Sequence, residues 1–393
     1  MKRTVKDLVG LKGKVVLLRV DFNVPMDETR KILDSTRIDN ALPTINYLIE
    51  QKARVVILSH LGRPKGFEVQ KSLWPVAMEL MNKLPCNVDF CNAVIGDEVK
   101  DRIKYLKEGN VLLLENTRFY EGEDKCDMDF AREIAALGDI YVNDAFGTAH
   151  RKNASTYALA RLMPNAIGLL MEKEIENLSK VIENPKRPFV AILGGAKVDS
   201  KIQIIDKLLE IADTIIIGGA MAYTFLLARG EMVGMSLVQN DYIEYARQTL
   251  IKAEEAGKKI LLPIDHVGVS TSDRKSTVYK VKTLKGDLAG YDIGEETIEL
   301  YRNEINNASQ IFWNGPVGMF EKPEFANGTK KIAEAIANSN AYSVVGGGDT
   351  VSAINSFGTA KGFDFISTGG GASMEFFENG TLPCIEVIQE KIR

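Results

Sequence analysis

The segment FVAILGGAKVDSK (189–201) joins an apolar run to a helix-like stretch through paired glycines. The same arrangement recurs in TIIIGGAMAYTFLLARG (214–230), AYSVVGGGDTVSAINSFG (341–358) and FDFISTGGGASMEFFENG (363–380). A glycine turn between a strand and a helix points free backbone N–H groups and the positive end of the helix dipole at one spot, and such a spot attracts phosphate. Four such junctions, two of them with glycine triplets, predict a site for a polyphosphate.

Apolar runs of strand length alternate with longer amphipathic stretches almost throughout the chain. Their continuous Val, Ile and Leu character is typical of parallel strands that are covered on both faces. The predicted strands are 14–20, 53–59, 111–115, 140–144, 189–193, 214–217, 259–263, 311–313, 342–345 and 364–367, with a β excursion at 276–283. This alternation predicts an α/β fold with doubly wound, Rossmann-like parallel sheets.

The length of 393 residues allows two domains that each bury a core. We predict the break near 165–190, where a helical segment runs into the rigid, polar sequence NPKRP (184–188). The predicted domains are therefore 1–170 and 171–380, joined by a hinge.

Composition excludes several function classes. A formal net charge of −4 gives no general attraction to nucleic acid or anionic membranes, so phosphate binding must be local. The segment MKRTVKDLVG (1–10) lacks the apolar core of a signal peptide, and the apolar runs are too short to span a bilayer. The cysteines, at positions 86, 91, 126 and 384, show no CxxC spacing. We predict a cytoplasmic protein with reduced thiols and with neither nucleic acid nor membrane as partner.

The first half places polar and cationic residues directly after its predicted strands or at the start of the next helix. They are Asp21, Asn23, Arg37, His60, Arg63, Arg118 and Arg151. Guanidinium groups grip carboxylates and phosphates bidentately, and ligands of open α/β sheets gather at the carboxyl ends of strands. The set predicts a pocket for a small, hydroxylated, multiply anionic molecule, while His60 and His150 stay open to a purely structural role.

Two lysines follow the first glycine turn of the second half. Lys197 and Lys201 are four residues apart and share a helix face, which suits a clamp on a triphosphate. The glycine-rich segments match neither GxxxxGK[ST] nor GxGxxG, which argues against a P-loop and a standard dinucleotide fold. The roles of two acids stay open. Asp349 is either a helix N-cap or a Mg²⁺ ligand, and Glu321 either binds a ribose hydroxyl or is simply an acid on the surface.

The two halves thus carry different chemistry. Twelve arginines lie before residue 190 and five after it, whereas the glycine-rich junctions lie in the second half. An arginine-based anion pocket opposite a nucleotide-triphosphate site indicates phosphoryl transfer, which needs positioning and charge neutralisation more than covalent help.

Eight motifs resemble the phosphoglycerate kinase family. They are RVDFNVP (19–25), HLGRPKG (60–66), LENTRFY (114–120), GTAHR (147–151), LGGAKV (193–198), WNGPVGMFE (313–321), GGGDT (346–350) and STGGGAS (367–373). The similarity covers essentially the whole chain, in the family's order. It implies a monomer that transfers a phosphoryl group reversibly between ATP and 3-phosphoglycerate, giving ADP and 1,3-bisphosphoglycerate, with Mg²⁺.

The resemblance also assigns roles to residues at the matching positions. It implies that the seven polar residues of the first half form the triose-phosphate pocket. The nucleotide residues that it implies are Lys197, Lys201, Asn314, Glu321, Gly347, Gly348, Asp349 and Thr350, with Asp349 on Mg²⁺, a weaker contact from Gly290, and Gly195, Ala196, Gly218 and Gly219 around the base. It further implies a last helix around 383–393, so that the segment 380–393 packs back on the first domain.

One departure from the family pattern concerns the lysine clamp. The family commonly reads Lys-Val-Ser-Asp-Lys, whereas this chain reads KVDSK (197–201). The lysine spacing survives, so we expect activity to be kept while local capping differs.

The implied mechanism needs no general base, because the acceptor is a carboxylate that is already ionised. We predict that Arg37 and Lys197 meet the transferring phosphoryl group when the hinge closes. Amides of the triplet 369–371, including Gly370 and Gly371, would stabilise the charged oxygens. The alternatives are an acyl-phosphate-forming kinase for another acid, and a nucleotide-binding protein that has lost catalysis.

Overall fold

The computed structural model describes residues 1–272 and 277–391, and the chain divides into two compact units. The first unit comprises Met1–Glu176 with Thr381–Arg393, and the second comprises Asn177–Gly380. The boundary near residue 176 falls inside a helix, Leu169–Glu183. Among the described residues, no helix is both long enough and apolar enough to cross a membrane.

The first unit is built on a parallel sheet with helices around it. Its described strands are β1 (Val15–Arg19), β2 (Arg54–Leu58), β3 (Val88–Cys91), β4 (Val111–Leu114), β5 (Ile140–Asn143) and β6 (Asn165–Ile167). Its helices are α1 (Thr36–Glu50), α2 (Trp74–Lys83), α3 (Asp97–Tyr105), α4 (Glu121–Asp124), α5 (Met128–Ala135), α6 (Leu159–Leu162) and α7 (Leu169–Glu183), the last of which continues into the second unit. The strand order is β3-β4-β2-β1-β5-β6, and every pairing is parallel.

Burial on both faces explains why β1 reads as a continuous apolar run. All five of its residues are buried. Helix α1 buries Ile38, Ala41, Ile45 and Leu48, a spacing of three or four residues that turns one face toward the sheet. Helix α1 is therefore one of the amphipathic stretches that alternate with the strands.

The second unit repeats this architecture and adds a small antiparallel sheet. Its described strands are β7 (Phe189–Leu193), β8 (Thr214–Ile217), β9 (Lys259–Leu261), β10 (His266–Ser270), β11 (Val278–Val281), β12 (Leu288–Ile293), β13 (Gln310–Asn314), β14 (Tyr342–Gly346) and β15 (Phe365–Ile366). Its further helices are α8 (Ile202–Ile211), α9 (Met221–Ala228), α10 (Ile243–Glu255), α11 (Glu295–Asn307), α12 (Asn327–Ala337), α13 (Gly348–Ser356) and α14 (Gly371–Asn379). The parallel order is β15-β14-β13-β7-β8-β9, and the antiparallel order is β11-β10-β12.

These sheets confirm the predicted α/β class and add strands that the sequence patterns missed. Strands β3 and β6 have only four and three residues, and β10 and β12 contain glycines that interrupt the apolar pattern. The β excursion predicted at 276–283 is confirmed as β11, with residue 276 outside the described residues.

The chain end differs from the long last helix that was expected. Helix α15 (Pro383–Glu386) is a single turn, and it is followed by an antiparallel bridge between Lys2 and Glu390. The backbone N–H of Cys384 donates to the carbonyl of Ala149 at 3.1 Å. Residues 387–391 are therefore not helical, and 392–393 lie outside the described residues.

A buried acid joins the sheet of the first unit to α7. Asp144 directly follows β5, and its Oδ1 accepts a hydrogen bond from the backbone N–H of Met171 at 3.0 Å. Burial raises the pKa of Asp144 from 3.8 to about 7. Ionised at high pH, this carboxylate destabilises the fold that surrounds it.

Replacing Asp144 with Asn should therefore stabilise the protein more at pH 8 than at pH 5. Because the folded pKa lies above the ordinary value, the folded state holds a proton that the unfolded state has lost. The wild-type chain thus loses up to about 1.4 kcal/mol per pH unit between roughly pH 4 and 7, a loss that asparagine cannot show. Urea unfolding of both proteins at pH 5 and pH 8 measures the difference, and a difference that does not change with pH would contradict the assignment.

Candidate active site

Loops from neighbouring strands of the first unit meet at the carboxyl edge of its sheet. Strand β1 lies between β2 and β5. Asp21 and Asn23 follow β1, His60 follows β2, and Arg151 follows β5. The strand order alone therefore gathers residues that are more than a hundred positions apart in sequence.

Asp21 is the only acid among the predicted pocket residues. It forms an ion pair with Arg37, which stands in the first turn of α1. The backbone N–H of Asn23 donates to Asp21 Oδ1 at 3.2 Å, and His60 Nδ1 lies 4.0 Å from the same oxygen. Burial acts to raise the pKa of Asp21, but its electrostatic interactions with His60, Arg37 and Arg19 lower it below its ordinary value. Asp21 is therefore an ionised acceptor in a cationic pocket.

His60 is buried and neutral, with a proton position that its neighbour fixes. Arg19 Nη2 lies 3.3 Å from His60 Nδ1. Because a guanidinium can only donate, Nδ1 is the acceptor and the ring proton must be on Nε2. Burial, together with the nearby arginines, lowers the pKa of His60 from 6.5 to about 3. His60 can thus donate a hydrogen bond from Nε2 without adding charge.

Gly62 connects two further pocket residues. Its backbone N–H donates to Asn23 Oδ1 at 2.8 Å, and its carbonyl accepts from Arg118 Nη1 at 2.8 Å. Arg118 is 9 % exposed and is also paired with Asp124 at 3.1 Å. The left-handed φ of 63° at Gly62 allows the turn that presents the next residue, Arg63.

Arg63 and Arg151 form no hydrogen bond or ion pair with the other predicted pocket residues. Arg63 is exposed, and its side chain forms no hydrogen bond or ion pair with the described part of the chain. Arg151 is also exposed and donates from Nε to His150 Nε2 at 3.1 Å. Direct contacts therefore unite Asp21, Asn23, Arg37, His60 and Arg118, but they do not include these two cations.

The sequence analysis assigned no role to the buried cation beneath the pocket, Arg19. Arg19 is 1 % exposed and ends β1. Its Nε donates to Ser155 Oγ at 2.7 Å, and Ser155 donates in turn to Glu123 at 2.6 Å. Arg19 Nη2 lies 3.9 Å from the Glu123 carboxylate. The sequence does place an arginine at the end of an otherwise apolar strand. That position could have indicated a buried network, because a cation buried there needs partners.

A cavity of about 410 Å³ lies in the second unit, at the ends of strands of its parallel sheet. Its lining includes six of the predicted nucleotide residues: Gly195, Ala196, Gly219, Gly290, Glu321 and Asp349. Its walls are completed by residues that the sequence patterns did not indicate: Ala220, Met235, Leu237, Ala289, Tyr291, Pro316, Gly318 and Met319. The apolar walls, together with the acids Glu321 and Asp349, suit a flat heterocycle with a polar extension.

Other predicted nucleotide residues stand behind or beside the cavity wall. A Cβ at Gly218 would lie 2.6 Å from the Val317 side chain, so this glycine is required by packing. Asn314 is buried and donates from Nδ2 to the carbonyl of Gly346 at 2.8 Å. Thr350 Oγ1 accepts from the backbone N–H of Gly315 at 2.7 Å. These contacts hold adjacent strand-end loops together.

The prediction that the two lysines share a helix face is wrong, because both precede α8, which begins at Ile202, and they occupy different environments. Lys197 is exposed, whereas Lys201 is partly buried. Burial lowers the pKa of Lys201 from 10.5 to about 8, although Asp349 and Glu378 act to raise it. Lys201 therefore carries a charge that is incompletely neutralised by the protein.

The loop between the lysines is held by side chains of its own and by Gln239. Gln239 Oε1 accepts from the backbone N–H groups of Val198 and Asp199. Ser200 Oγ donates to the carbonyl of Lys197 at 3.1 Å. In this chain's Asp-Ser order, the serine thus supports the first lysine directly.

Asp349 does not cap its helix. The N-cap of α13 is Gly347, with φ 92°, and no side chain bonds to the cap. The N-cap alternative for Asp349 is therefore wrong, and its exposed carboxylate lies in the first turn of α13 and in the cavity lining. Helix α14 begins in a similar way, at Gly371 after Gly370 with φ 55°. Both glycine triplets thus lead into helix N-termini, as the sequence predicted.

A family model for phosphoglycerate kinase matches residues 5–380. The chain belongs to the phosphoglycerate kinase family. It is 50 % identical over 395 aligned residues to a phosphoglycerate kinase of Dictyoglomus turgidum, covering 99 % of this chain and 100 % of the relative. It is 48 % identical to one of Pseudothermotoga lettingae, covering 99 % of each. The resemblance inferred from the motifs is confirmed.

Solved structures of phosphoglycerate kinases agree with this membership. The protein of Coxiella burnetii superposes with a TM-score of 0.89 at 41 % identity, covering 98 % of each chain. The protein of Pyrococcus horikoshii OT3 superposes with a TM-score of 0.83 at 35 % identity, also covering 98 % of each chain. The α/β architecture of two parallel sheets is therefore that of phosphoglycerate kinases.

The protonation of His60 can be tested in solution. Long-range ¹H–¹⁵N spectra should show a neutral imidazole protonated on Nε2 that does not titrate between pH 8 and pH 5, because its pKa is about 3. The chain has only three histidines, so His60→Gln assigns the signal. A ring that titrates near 6.5, or that carries its proton on Nδ1, would contradict the contact with Arg19.

Proposed function

We propose that the first unit binds 3-phosphoglycerate, that the second binds ATP with Mg²⁺, and that the phosphoryl group passes directly between them. Membership of the phosphoglycerate kinase family makes the chain a glycolytic phosphotransferase that acts between ATP and 3-phosphoglycerate. The alternative of a kinase for another acid is not favoured by this membership. The division of labour between the units is our proposal.

The observation that carries the proposal is the concentration of cations around the neutral His60. Arg37 pairs with Asp21, and Arg118 is joined to Asn23 through Gly62. The exposed Arg63 follows Gly62 directly in the sequence. Such a set suits a substrate that bears both a phosphate and a carboxylate. Asp21 and the neutral His60 add an acceptor and a donor for hydroxyl or carboxylate oxygens. The acceptor carboxylate is already ionised, so none of these side chains needs to remove a proton.

In the second unit, we assign the base to the cavity and the phosphates to its glycine-rich rim. The apolar walls at Met235, Leu237 and Pro316 would cover the base. Glu321 would accept from the ribose hydroxyls, and Lys201 would neutralise phosphate oxygens. The free N–H groups at the start of α13, and those of Gly370 and Gly371 before α14, would bind the remaining oxygens. Asn314 and Thr350 would act by holding these loops in place.

The residues near the cavity fit a Mg²⁺ ion that arrives with the nucleotide. No cluster of three or more His, Cys, Asp or Glu side chains suited to a metal occurs among residues 1–272 and 277–391. Asp349 offers one exposed carboxylate in the cavity lining, and Mg²⁺ is commonly held by one or two carboxylates plus substrate phosphates. When bound, the ion would neutralise charge on the phosphates. The protein would contribute the carboxylate of Asp349, which is positioned by the first turn of α13.

Three broader properties belong to the same proposal. We propose that the enzyme is a monomer, that it works in the cytoplasm, and that neither nucleic acid nor membrane is a partner. The net charge of −4 supports the last point, because it provides no basic surface overall. The idea that Arg37 and Lys197 meet at the phosphoryl group on closure of a hinge stays a prediction.

Arg37 and Arg63 should differ in their kinetic roles. Arg37→Ala should lower kcat by roughly a hundredfold or more, since it removes a donor that acts in the transition state. Arg63→Ala should mainly raise the KM for 3-phosphoglycerate. A coupled assay of NADH consumption that requires ATP, Mg²⁺ and 3-phosphoglycerate measures both. A near-normal kcat for Arg37→Ala, or an effect of Arg63→Ala confined to the KM for ATP, would refute the assignment.

The lowered pKa of Lys201 gives nucleotide binding a pH dependence. Phosphates beside the ammonium group raise its pKa above the free value of about 8, so binding takes up a proton at higher pH. Affinity for ADP should fall by up to about tenfold per unit as the pH rises above 8. Calorimetric titration of ADP in two buffers at pH 8.5 measures both the proton uptake and the affinity.

Lys201→Arg is the matched control, because arginine keeps its charge throughout this range. Its affinity for ADP should change much less between pH 7 and pH 9.5. Equal pH dependence in the two proteins would show that Lys201 does not contact the nucleotide.

A further inference from the structure

The lysine loop, Lys197–Lys201, is held in the second unit through its backbone. In the described part of the chain, neither lysine side chain forms an ion pair or a hydrogen bond. Val198 is fully buried, and its carbonyl accepts from the N–H of Lys201 at 2.8 Å. The contacts of the backbone between the lysines therefore decide where the two ammonium groups can reach.

Gln239 supplies a contact from outside the lysine loop. Its Oε1 accepts from the backbone N–H of Val198 and, at 3.3 Å, from that of Asp199. Ser200, the remaining residue between the lysines, donates its N–H to Asp199 Oδ1 at 2.7 Å. One amide oxygen, 41 positions beyond Val198 in the sequence, thus binds two of the three N–H groups between the lysines.

The backbone of Gln239 is itself bound on both sides. Its N–H donates to Thr224 Oγ1 at 3.1 Å, and its carbonyl accepts from the N–H of Tyr242 at 3.0 Å. Thr224 is 1 % exposed and lies in α9. The side chain of Gln239 therefore extends from a fixed backbone and not from one that can follow the lysines.

The segment that ends at Gln239 also forms part of the nucleotide cavity that we propose. Met235 and Leu237, four and two positions before Gln239, line this cavity. Ser236, which lies between them, accepts at Oγ from the backbone N–H of Gly290, another lining residue, at 3.0 Å. Gln239 is thus attached to the wall that would cover the base, while its amide oxygen holds the loop that would meet the phosphates.

We propose that Gln239 is a positioning residue for the nucleotide phosphates, because its amide oxygen fixes the lysine loop at a set distance from the base cavity. This inference rests on the proposed function of the second unit, and it assigns Gln239 no contact with the nucleotide. Without the acceptor, two backbone N–H groups would lose their partner, and the ammonium groups would lose their alignment with the phosphates.

Two ligands separate binding of the base from binding of the phosphates. Adenosine should occupy the cavity alone, whereas ADP with Mg²⁺ should also meet the lysine loop. The methyl signal of Met235, in the full chain labelled with [methyl-¹³C]methionine, should report both ligands because Met235 lines the cavity. Met235→Leu assigns this signal among those of the 12 methionines.

Gln239→Met removes the acceptor with little change in the length of the side chain. It should weaken binding of ADP by about five- to tenfold and change binding of adenosine by less than about twofold. In the coupled assay, the KM for ATP should rise while the KM for 3-phosphoglycerate stays constant. A general loss of structure would instead weaken the binding of every ligand.

Two further variants test whether the acceptor is the cause. Gln239→Glu keeps an acceptor oxygen at the same distance along the side chain, so it should retain the affinity for ADP within about threefold. Gln248→Met makes the same substitution at an exposed position of α10, where Gln248 donates to Glu244 at 2.9 Å. It should leave the affinities for both ligands unchanged.

The proposal is overturned if Gln239→Met binds ADP as the wild type does, or if adenosine and ADP are weakened equally. It is also overturned if Gln239→Glu is as impaired as Gln239→Met, since the acceptor would then not be the cause. Failure of the proposed function gives a different result. In that case the wild type itself would bind ADP no more tightly than adenosine, or ADP would leave the Met235 signal in place, and either result would refute both proposals.

Discussion

Burial of parallel strands on both faces is the constraint on which this structure depends. Strands β1 and β7 are buried at every position, so their side chains are available only to the helices that cover them. Polar chemistry is therefore restricted to the strand ends, where backbone groups are released from the sheet. The triose-phosphate pocket and the nucleotide cavity that we propose both follow from this restriction, each at the carboxyl edge of its own sheet.

In the first unit, the need to satisfy a buried charge organises the pocket. The guanidinium of Arg19 is buried. It donates a hydrogen bond to Ser155, pairs with Glu123 and contacts His60. Its contact with Nδ1 sets the tautomer of His60, and its charge helps to keep Asp21 ionised. The pocket is thus cationic overall but has one fixed acceptor and one fixed neutral donor, which is suited to a molecule with both hydroxyl and acidic groups. Preorganisation of this kind leaves little for the protein to rearrange when an anion binds.

In the second unit, close backbone approach explains the glycines as much as ligand binding does. A Cβ at Gly194 would lie 2.0 Å from the carbonyl oxygen of Pro316, and one at Gly219 would lie 2.6 Å from the backbone nitrogen of Gly195. The strand-end loops therefore touch each other through their backbones. Gly348 and Gly371, by contrast, have open space where a Cβ would stand, at the starts of α13 and α14. Absence of a side chain there leaves the helix N-termini accessible to phosphate.

The sequence by itself determined the fold class, the long strands and the chemistry expected after them, because apolar periodicity and glycine turns act locally. It also carried the family motifs, which the comparisons confirm. It did not reveal short strands such as β3 and β6, nor the partners of Arg19, nor that Gly347 rather than Asp349 caps α13. It likewise gave no sign that Met235 and Leu237 line the nucleotide cavity, or that Gln239 binds the backbone between the two lysines. Those features were decided by the tertiary structure, since burial and hydrogen-bond partnership depend on which distant segments pack together, and no local pattern records that packing.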